Sequence, residues 1–284
     1  MKYSLLGLLL ACCLLATGFR PVSPEDRARE LIQRTEGHFG IREHAELYRY
    51  VRATSDGEIY DGHMLIIFRY EKDEVNGVFR LLPDNDNEGV TLISQQLPGK
   101  LPALGVYDHN KDTGGPVETE ELHQKLGDTD WFFEGIYDDD KNPWTYRNTG
   151  SITYRGTSAD VIEATYSDKR LKDAVGYDHR RILIRQSDDQ PLSSEFYNSE
   201  GQLIYVIDLL GSEHFEYQGK EQARTKQLQL IDFDAGSTTV FTRIRSNWNP
   251  QLPADIFELD FAPKWDKSTD DMVVSKLLRD QPAN

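Results

Sequence analysis

The sequence predicts a mainly antiparallel β protein, and three patterns carry that prediction. First, from Trp144 to Phe261 short segments alternate apolar and polar residues and then break at turns. Ile162, Ala164 and Tyr166 alternate with Val161, Glu163 and Thr165, and Ile182 and Ile184 with Arg181, Leu183 and Arg185. Leu228 and Leu230 sit among Gln227 and Gln229, while Val240 and Ile244 point away from Phe241, Arg243 and Arg245. A period of two over short runs gives strands with one dry and one wet face. Second, Leu47 to Leu82 repeats the pattern between turn signals such as Ser55-Asp56-Gly57. Third, the one clear amphipathic helical period lies near the N-terminus, where a single helix needs a sheet to lie on.

Taken in order, the first eighteen residues are an export signal. Lys2 supplies the positive start, Leu5 to Leu15 is an apolar run too short to span a bilayer, and Ala16-Thr17-Gly18 offers the small residues of a cleavage site. The competing reading is a lipoprotein, with Leu9-Leu10-Ala11-Cys12 as lipobox and Cys12 lipidated. Ser23-Pro24-Glu25-Asp26 then starts a helix as N-cap, first-turn proline and acids, with Ala28, Leu31 and Ile32 as its stripe and Gly37 as its stop. Strands follow at Leu47 to Val51, Gly62 to Tyr70, Val78 to Leu82 and Val90 to Ile93, with Lys72 to Gly77 as a polar turn. In the second of these, Met64, Ile66 and Phe68 share one face and Leu65 and Ile67 the other.

Between Pro98 and Pro116 the signal decays into Gly, Pro, Asp and Asn, which predicts a long loop of the lid or binding kind. Glu118 to Leu126 predicts a short helix ending at Gly127. Beyond Trp144 come about seven strands, with Asn198-Ser199-Glu200-Gly201 as a hairpin turn. The expected organisation is a signal peptide over 1–18, one domain over 19–266, and a charged, mobile tail over 267–284 with at most a weak helix from Met272 to Leu278.

The bulk properties exclude several classes. With 48 Asp and Glu against 32 Lys and Arg, the chain repels nucleic-acid phosphates and anionic membrane surfaces, so nucleic acid is not an expected partner. Both cysteines, Cys12 and Cys13, lie in the signal, so the body has no disulfide and no thiolate metal site. A chain this long buries a core without such staples.

Chemistry-bearing motifs are sparse. No Ser stands in a G-x-S-x-G elbow, and His38 and His44 lack the i, i+4 spacing of a helical zinc pair. Asp84 to Gly89 partly matches a calcium loop, but its twelfth position is Gln95, so it reads as a solvated turn, as does Asp138-Asp139-Asp140. The unusual segment is Asp128-Thr129-Asp130-Trp131-Phe132-Phe133-Glu134, two acids running into three aromatics. It reads either as a plug of the core or as the border of a cavity for alkyl chains.

Leu126 to Ile136 resembles the G-[ST]-D-F-[ST]-Y-E-D-L segment of the outer membrane lipoprotein-sorting protein-like family, within the LolA/LolB/RseB-like superfamily. Tyr146 and Gly156 before Val161-Ile162-Glu163-Ala164-Thr165 are similar to its Y…G…Y-V-I-E-A strand. Pro191-Leu192, Glu195-Phe196-Tyr197 and Gly201-Gln202-Leu203 are similar to its central hairpin, and Leu252-Pro253-Ala254-Asp255-Ile256-Phe257 to its closing L-P-x-x-[IL]-F. Arg80-Leu81-Leu82-Pro83 and Glu88-Gly89-Val90 stand where the family has an arginine-bearing strand. Trp131-Phe132 in place of Phe-Ser, Glu134-Gly135 in place of Glu-Asp, and the missing Trp-x-Tyr-x-Pro strand over 98–116 are departures.

The resemblance implies a curved antiparallel half-barrel with a few helices plugging its concave face. It also implies a periplasmic, monomeric carrier that binds a lipid or lipoprotein acyl chain and exchanges it with an inner-membrane transporter or an outer-membrane acceptor. No cofactor, metal or catalytic residue is expected. The lining expected for the cavity is Met64, Ile66, Phe68, Trp131, Phe133, Ile162, Ile182 and Ile184. The alternative is a non-transporting sensor or an accessory subunit of a membrane exporter, and third an enzyme on the same fold.

Overall fold

The computed structural model describes residues 22–35, 41–71, 74–83, 88–98, 100–133, 143–217 and 220–278. The export signal with Cys12, the helix stop at Gly37, the core of the calcium-like loop and Asp138 to Asp140 lie outside them. The described strands are β1 (Glu43–Ala53), β2 (Ile59–Glu71), β3 (Glu74–Leu81), β4 (Val90–Gln96), β5 (Ala103–Asp108), β6 (Thr113–Pro116) and β7 (Trp144–Tyr154). They continue with β8 (Thr157–Tyr166), β9 (His179–Arg185), β10 (Pro191–Tyr197), β11 (Leu203–Tyr217), β12 (Lys220–Asp232) and β13 (Ser237–Asn247).

All thirteen belong to one antiparallel sheet in the order β6-β5-β4-β3-β2-β1-β13-β12-β11-β10-β9-β8-β7. Every neighbouring pair except β1–β13 is consecutive in the chain, so two meanders are joined along one seam. That seam pairs Tyr48 with Arg243, Tyr50 with Phe241 and Arg52 with Thr239. The sheet curves without closing into a barrel. Its free edges are β6 and β7, and the described segment 117–133 after β6 lies on the sheet's apolar face. A polar backbone crossing an apolar face needs its own hydrogen bonds there.

Two apolar layers result. On the concave face, strand residues such as Met64, Ile66, Phe79, Ile162, Ile182 and Phe241 meet Leu122, Leu126 and Phe133 of the crossing segment. Helix α1 (Pro24–Thr35) joins them through Ala28, Leu31 and Ile32, as its stripe predicts. Its first turn is capped by Ser23, whose Oγ accepts from the Asp26 amide at 3.0 Å. Helix α2 (Lys169–Val175) closes the β7–β9 end, capped by Asp168 and ended by Gly176 in the left-handed region at φ 79°.

On the convex face, Ala45, Leu65, Ile67, Val78 and Ile93 are covered by Leu252, Ile256, Phe257, Ala262 and Trp265 from the chain beyond β13. The L-P-x-x-I-F segment thus leaves the sheet and folds behind it. Arg69 pins it, bonding Glu43 at 2.8 Å and the Leu252 carbonyl at 2.8 Å, with its guanidinium 4.2 Å from the Phe257 ring centroid.

Four expectations are corrected. Glu74 to Gly77, read as turn, begins β3. Pro98 to Pro116, read as a loop, contains β5 and β6. Gly114, Gly115 and Pro116 look like breakers, but an edge strand pairs on one side only and tolerates them. Glu118 to Leu126 holds only a 3-10 turn over Thr119–Glu121.

The charged tail is in fact helix α3 (Lys267–Leu278), capped by Asp266 and packed through Val273 and Leu277. Its acidic stretch hides a core contact. Asp270 accepts from Arg80 at 3.0 and 3.2 Å and from the Trp265 indole at 2.7 Å, all of them buried. Arg80 thus points behind the sheet, on the opposite side from Phe79 and Leu81.

Candidate functional site: the concave face and its cover

The crossing segment covers the concave face as a tight hairpin. The Leu126 amide donates to the Trp131 carbonyl at 2.8 Å, the Phe133 amide to the Gln124 carbonyl at 2.9 Å, and Lys125 bridges Phe132. The turn between them is closed by Thr129, whose hydroxyl donates to the Leu126 carbonyl at 2.8 Å and accepts from the Trp131 amide at 3.2 Å. Gly127 turns the chain at φ 52°, and a Cβ there would stand 2.4 Å from Leu81 Cδ1. A larger residue there would have to take the left-handed region and push the Leu81 side chain aside. The hairpin therefore satisfies much of its own backbone while it lies on apolar side chains.

What fixes it to the sheet is Asp130, which is fully buried. Its carboxylate accepts from Ser237 Oγ at 2.7 Å, Thr239 Oγ1 at 2.9 Å, Lys125 Nζ at 2.9 Å and Arg52 Nε at 3.1 Å. Its amide donates to Thr239 Oγ1 at 3.1 Å, and its carbonyl accepts from the Tyr205 hydroxyl at 2.6 Å. One residue thus ties the hairpin to β1, β11 and β13. Burial works against the charge, but Lys125, Ser237 and Thr239 outweigh it and hold the carboxyl below its ordinary value.

Beside this anchor the aromatics of the same segment turn down. Trp131 meets Phe241 edge-on at 5.3 Å and Phe79 at 6.3 Å, and Phe132 meets Tyr205 at 4.4 Å. All eight residues expected to line a cavity fall in this one concave-face cluster. Met64, Ile66, Phe133, Ile162, Ile182 and Ile184 are buried, and Phe68 and Trp131 are partly buried against them. They come from β2, β8, β9 and the hairpin, so the curvature gathers them on one face. Their side chains pack on one another beneath the cover.

Further along the seam the concave face becomes polar. The Tyr48 hydroxyl donates to Glu46 at 2.7 Å, and Arg243 Nη1 donates to Glu46 at 3.1 Å. Burial, then the Glu46 charge, pushes the Tyr48 phenol well above its ordinary value. The β11–β12 ribbon brings in Glu213, which accepts from Arg224 Nε at 2.9 Å, and Arg224 donates to Ser246 at 2.6 Å. Sequence reasoning missed Asp130 as an anchor and this polar group altogether. The signal for the second was Arg243 and Arg245 on a strand otherwise apolar and small, read only as a wet face.

Among the described residues, no three His, Cys, Asp or Glu side chains gather as a metal site, and no helix is long and apolar enough to cross a membrane.

A family model described as "Uncharacterized protein" matches residues 106–261, more than half of the chain. The chain belongs to that family. The matched region runs from β5 through the covering hairpin to the end of the L-P-x-x-I-F cover, so it holds Asp130 and, from the polar end of the seam, Glu213, Arg224 and Arg243. No curated protein matches the sequence.

Among solved structures, a DUF1329 family protein from Desulfovibrio piger superposes with TM-score 0.73 at 14% identity, covering 84% of this chain and 99% of that one. A putative outer membrane lipoprotein-sorting protein domain from Vibrio parahaemolyticus gives 0.73 at 13% identity, covering 84% and 99%. A LolA superfamily protein from Nitrosomonas europaea gives 0.61 at 15% identity, covering 82% and 98%. The fold is therefore that of the lipoprotein-sorting, LolA-like proteins, as the sequence resemblance implied. At these identities the likeness is one of fold.

Proposed function

We propose that this protein is an exported, periplasmic carrier that shelters an acyl chain of a lipid or lipoprotein between its concave face and the Gln124–Phe133 hairpin, and passes it to a membrane partner. The observation that carries the reading is the way the apolar face is covered. Its lid is a short hairpin tied through the Asp130 carboxylate and backbone and the Lys125–Asp232 ion pair, and otherwise resting on aromatic and aliphatic side chains. A cover of that kind keeps its Leu126–Trp131 and Gln124–Phe133 backbone bonds when it lifts and exchanges only the Asp130 amide and carbonyl contacts for water, whereas a strand pulled from the sheet loses its whole ladder. The lipoprotein-sorting name of one structural neighbour points the same way.

The physics sets what such a carrier needs. Burying a sixteen-carbon chain gains roughly 12 kcal/mol relative to water, at about 0.8 kcal/mol per methylene, but almost nothing relative to a bilayer. Loading and unloading therefore need a membrane partner or mass action, and the free-energy difference between the open and closed lid has to stay small. The eight lining residues supply the apolar wall. In the closed state Trp131 and Phe133 rest where alkyl carbons would otherwise lie. The acidic surface keeps the loaded protein off anionic bilayers between transfers.

The test is a titration with a fluorescent acyl probe followed by Trp131 emission, the Trp131→Phe protein serving as the control for the three other tryptophans. Saturable, one-to-one binding with a change assigned to Trp131 is the expected result. Absence of saturable binding by any alkyl probe would remove the carrier reading.

A further inference from the structure

The polar end of the concave face has no part in holding the lid. By the seam register, Arg243 lies four residues beyond Thr239 on β13, which places it about 13 Å along the strand from the Asp130 anchor. Two carboxylates, Glu46 and Glu213, meet Arg243 and Arg224 there, and Lys226 also acts on Glu213. Three cations against two carboxylates leave this spot positive in a protein whose net charge is −16. The guanidinium of Arg243 is nearly enclosed, with its side chain 4% exposed. Its Nη2 stands 2.8 Å from Glu213 Oε1 yet is not aligned for a hydrogen bond to any group. Burial, then repulsion from Arg243, lowers the pKa of Arg224. Buried guanidinium nitrogens with an unspent N–H and a like-charged neighbour are a poor end in themselves and a good seat for an oxyanion.

The same place opens onto the apolar wall. Phe215 and Trp248 stack at 4.8 Å, with Arg224 4.6 Å and 5.0 Å from their ring centroids. From Trp248 the rings run on without a break: His44 at 5.3 Å, Phe68 at 5.4 Å from His44, Phe79 at 5.4 Å from Phe68, then Trp131 under the hairpin. An aromatic track thus joins the arginine pair to the covered apolar face. Such a path suits a molecule that is charged at one end and apolar along the rest.

We propose that Arg224 and Arg243 form a head-group subsite for an anionic amphiphile, a carboxylate or phosphate whose alkyl part follows the Phe68–Phe79–Trp131 track. This inference rests on the carrier reading and narrows it from any acyl chain to one bearing an oxyanion. Glu213 is the internal stand-in: it occupies Arg224 in the empty protein and yields when the head arrives.

The experiment compares cis-parinaric acid with its methyl ester, identical in chain and differing in charge, at neutral pH. A charge-assisted bond to a buried guanidinium is expected to favour the acid by about tenfold or more in the unaltered protein. Arg224→Gln, at a partly exposed position, is expected to bring the acid down to the affinity of the ester. Glu213→Gln is expected to strengthen the acid further, because it frees both arginines. A purely structural salt bridge would instead weaken both ligands in that variant. Equal binding of acid and ester by the unaltered protein, or an acid preference that survives Arg224→Gln, overturns the subsite and leaves the carrier reading standing. Failure of both probes to bind overturns the two together. Inorganic phosphate alone is expected to leave the probe bound, and displacement by it at matching concentration would overturn the amphiphile in favour of a free anion.

Discussion

Asp130 concentrates more of the lid's attachment than any aromatic beside it. Removing the buried carboxylate takes the charged partner from Arg52 and leaves Lys125 with Asp232 alone, so Asp130→Asn is expected to destabilise the protein by about 3 kcal/mol in urea unfolding. The sign of its pH dependence follows from the depressed carboxyl. A folded value below the unfolded one contributes stability that is complete above about pH 4 and is lost as pH falls through the folded value. The unaltered protein is therefore expected to lose stability on acidification in that range, and Asp130→Asn to show a shallower loss. A second buried pair gives an independent check behind the sheet. Asp270→Asn strands Arg80, with its side chain 2% exposed, and is expected to cost about 3–5 kcal/mol while leaving the concave face unchanged. If near-ultraviolet circular dichroism and acyl-probe binding both change in Asp270→Asn, the separation of the two faces is wrong.

At the scale of elements, the hairpin over Gln124–Phe133 and the β1–β13 seam should differ in stability. The hairpin rests on side chains and two ionic ties, Asp130 to Arg52 and Lys125 to Asp232, while the seam is paired along nine residues of β1. Native-state hydrogen exchange is expected to find the Leu126 and Phe133 amides opening at lower free energy than Tyr48 or Tyr50. Asp130→Asn should speed the first two selectively, and equal acceleration of the seam would mean that the hairpin is no separate unit.

Legibility in the sequence also divided by element. Strands β8 and β9 were readable because Ile162, Ala164, Ile182 and Ile184 recur at every second position, although Val161 and Leu183 on the other face are buried as well. Helix α1 was readable from its cap and stripe. The edge strand β6 was not, because an edge needs no apolar alternation and is blunted by Gly and Pro, and its six-residue neighbour β5 was too short to show a period. Helix α3 was missed for another reason: its buried Asp270 looks like surface charge until Arg80 is seen opposite it. Asp130 reads in sequence as one more turn acid, since its partners come from 52, 125, 237 and 239.

At the scale of the molecule, the order of strands explains the site. Two meanders joined at β1–β13 leave the free edges at β6 and β7, and the segment 117–133 that follows β6 lies on the concave face and becomes its cover. The C-terminal chain, leaving at the seam, covers the other face. The molecule is thus fixed from behind and lidded in front, which is what a container needs if one side is to open while the other holds its curvature. Periodicity alone reached the sheet and many of its dry residues, though on β13 it set Val240 and Ile244 apart from Phe241, and it is Phe241 that is buried. That the dry face shelters a ligand rests on the hairpin and on the likeness of fold.

The central claim is that an acyl chain occupies that face in the working protein. Its most direct test is lipid extraction and mass spectrometry of the full-length protein isolated from the periplasm of its own producer, with the Trp131→Asp protein isolated in parallel. The expected result is acyl-bearing species at close to one per protein, much reduced in the variant even when the variant remains folded. Protein that comes consistently empty from its native compartment, or carries the same lipid after Trp131→Asp, would contradict it.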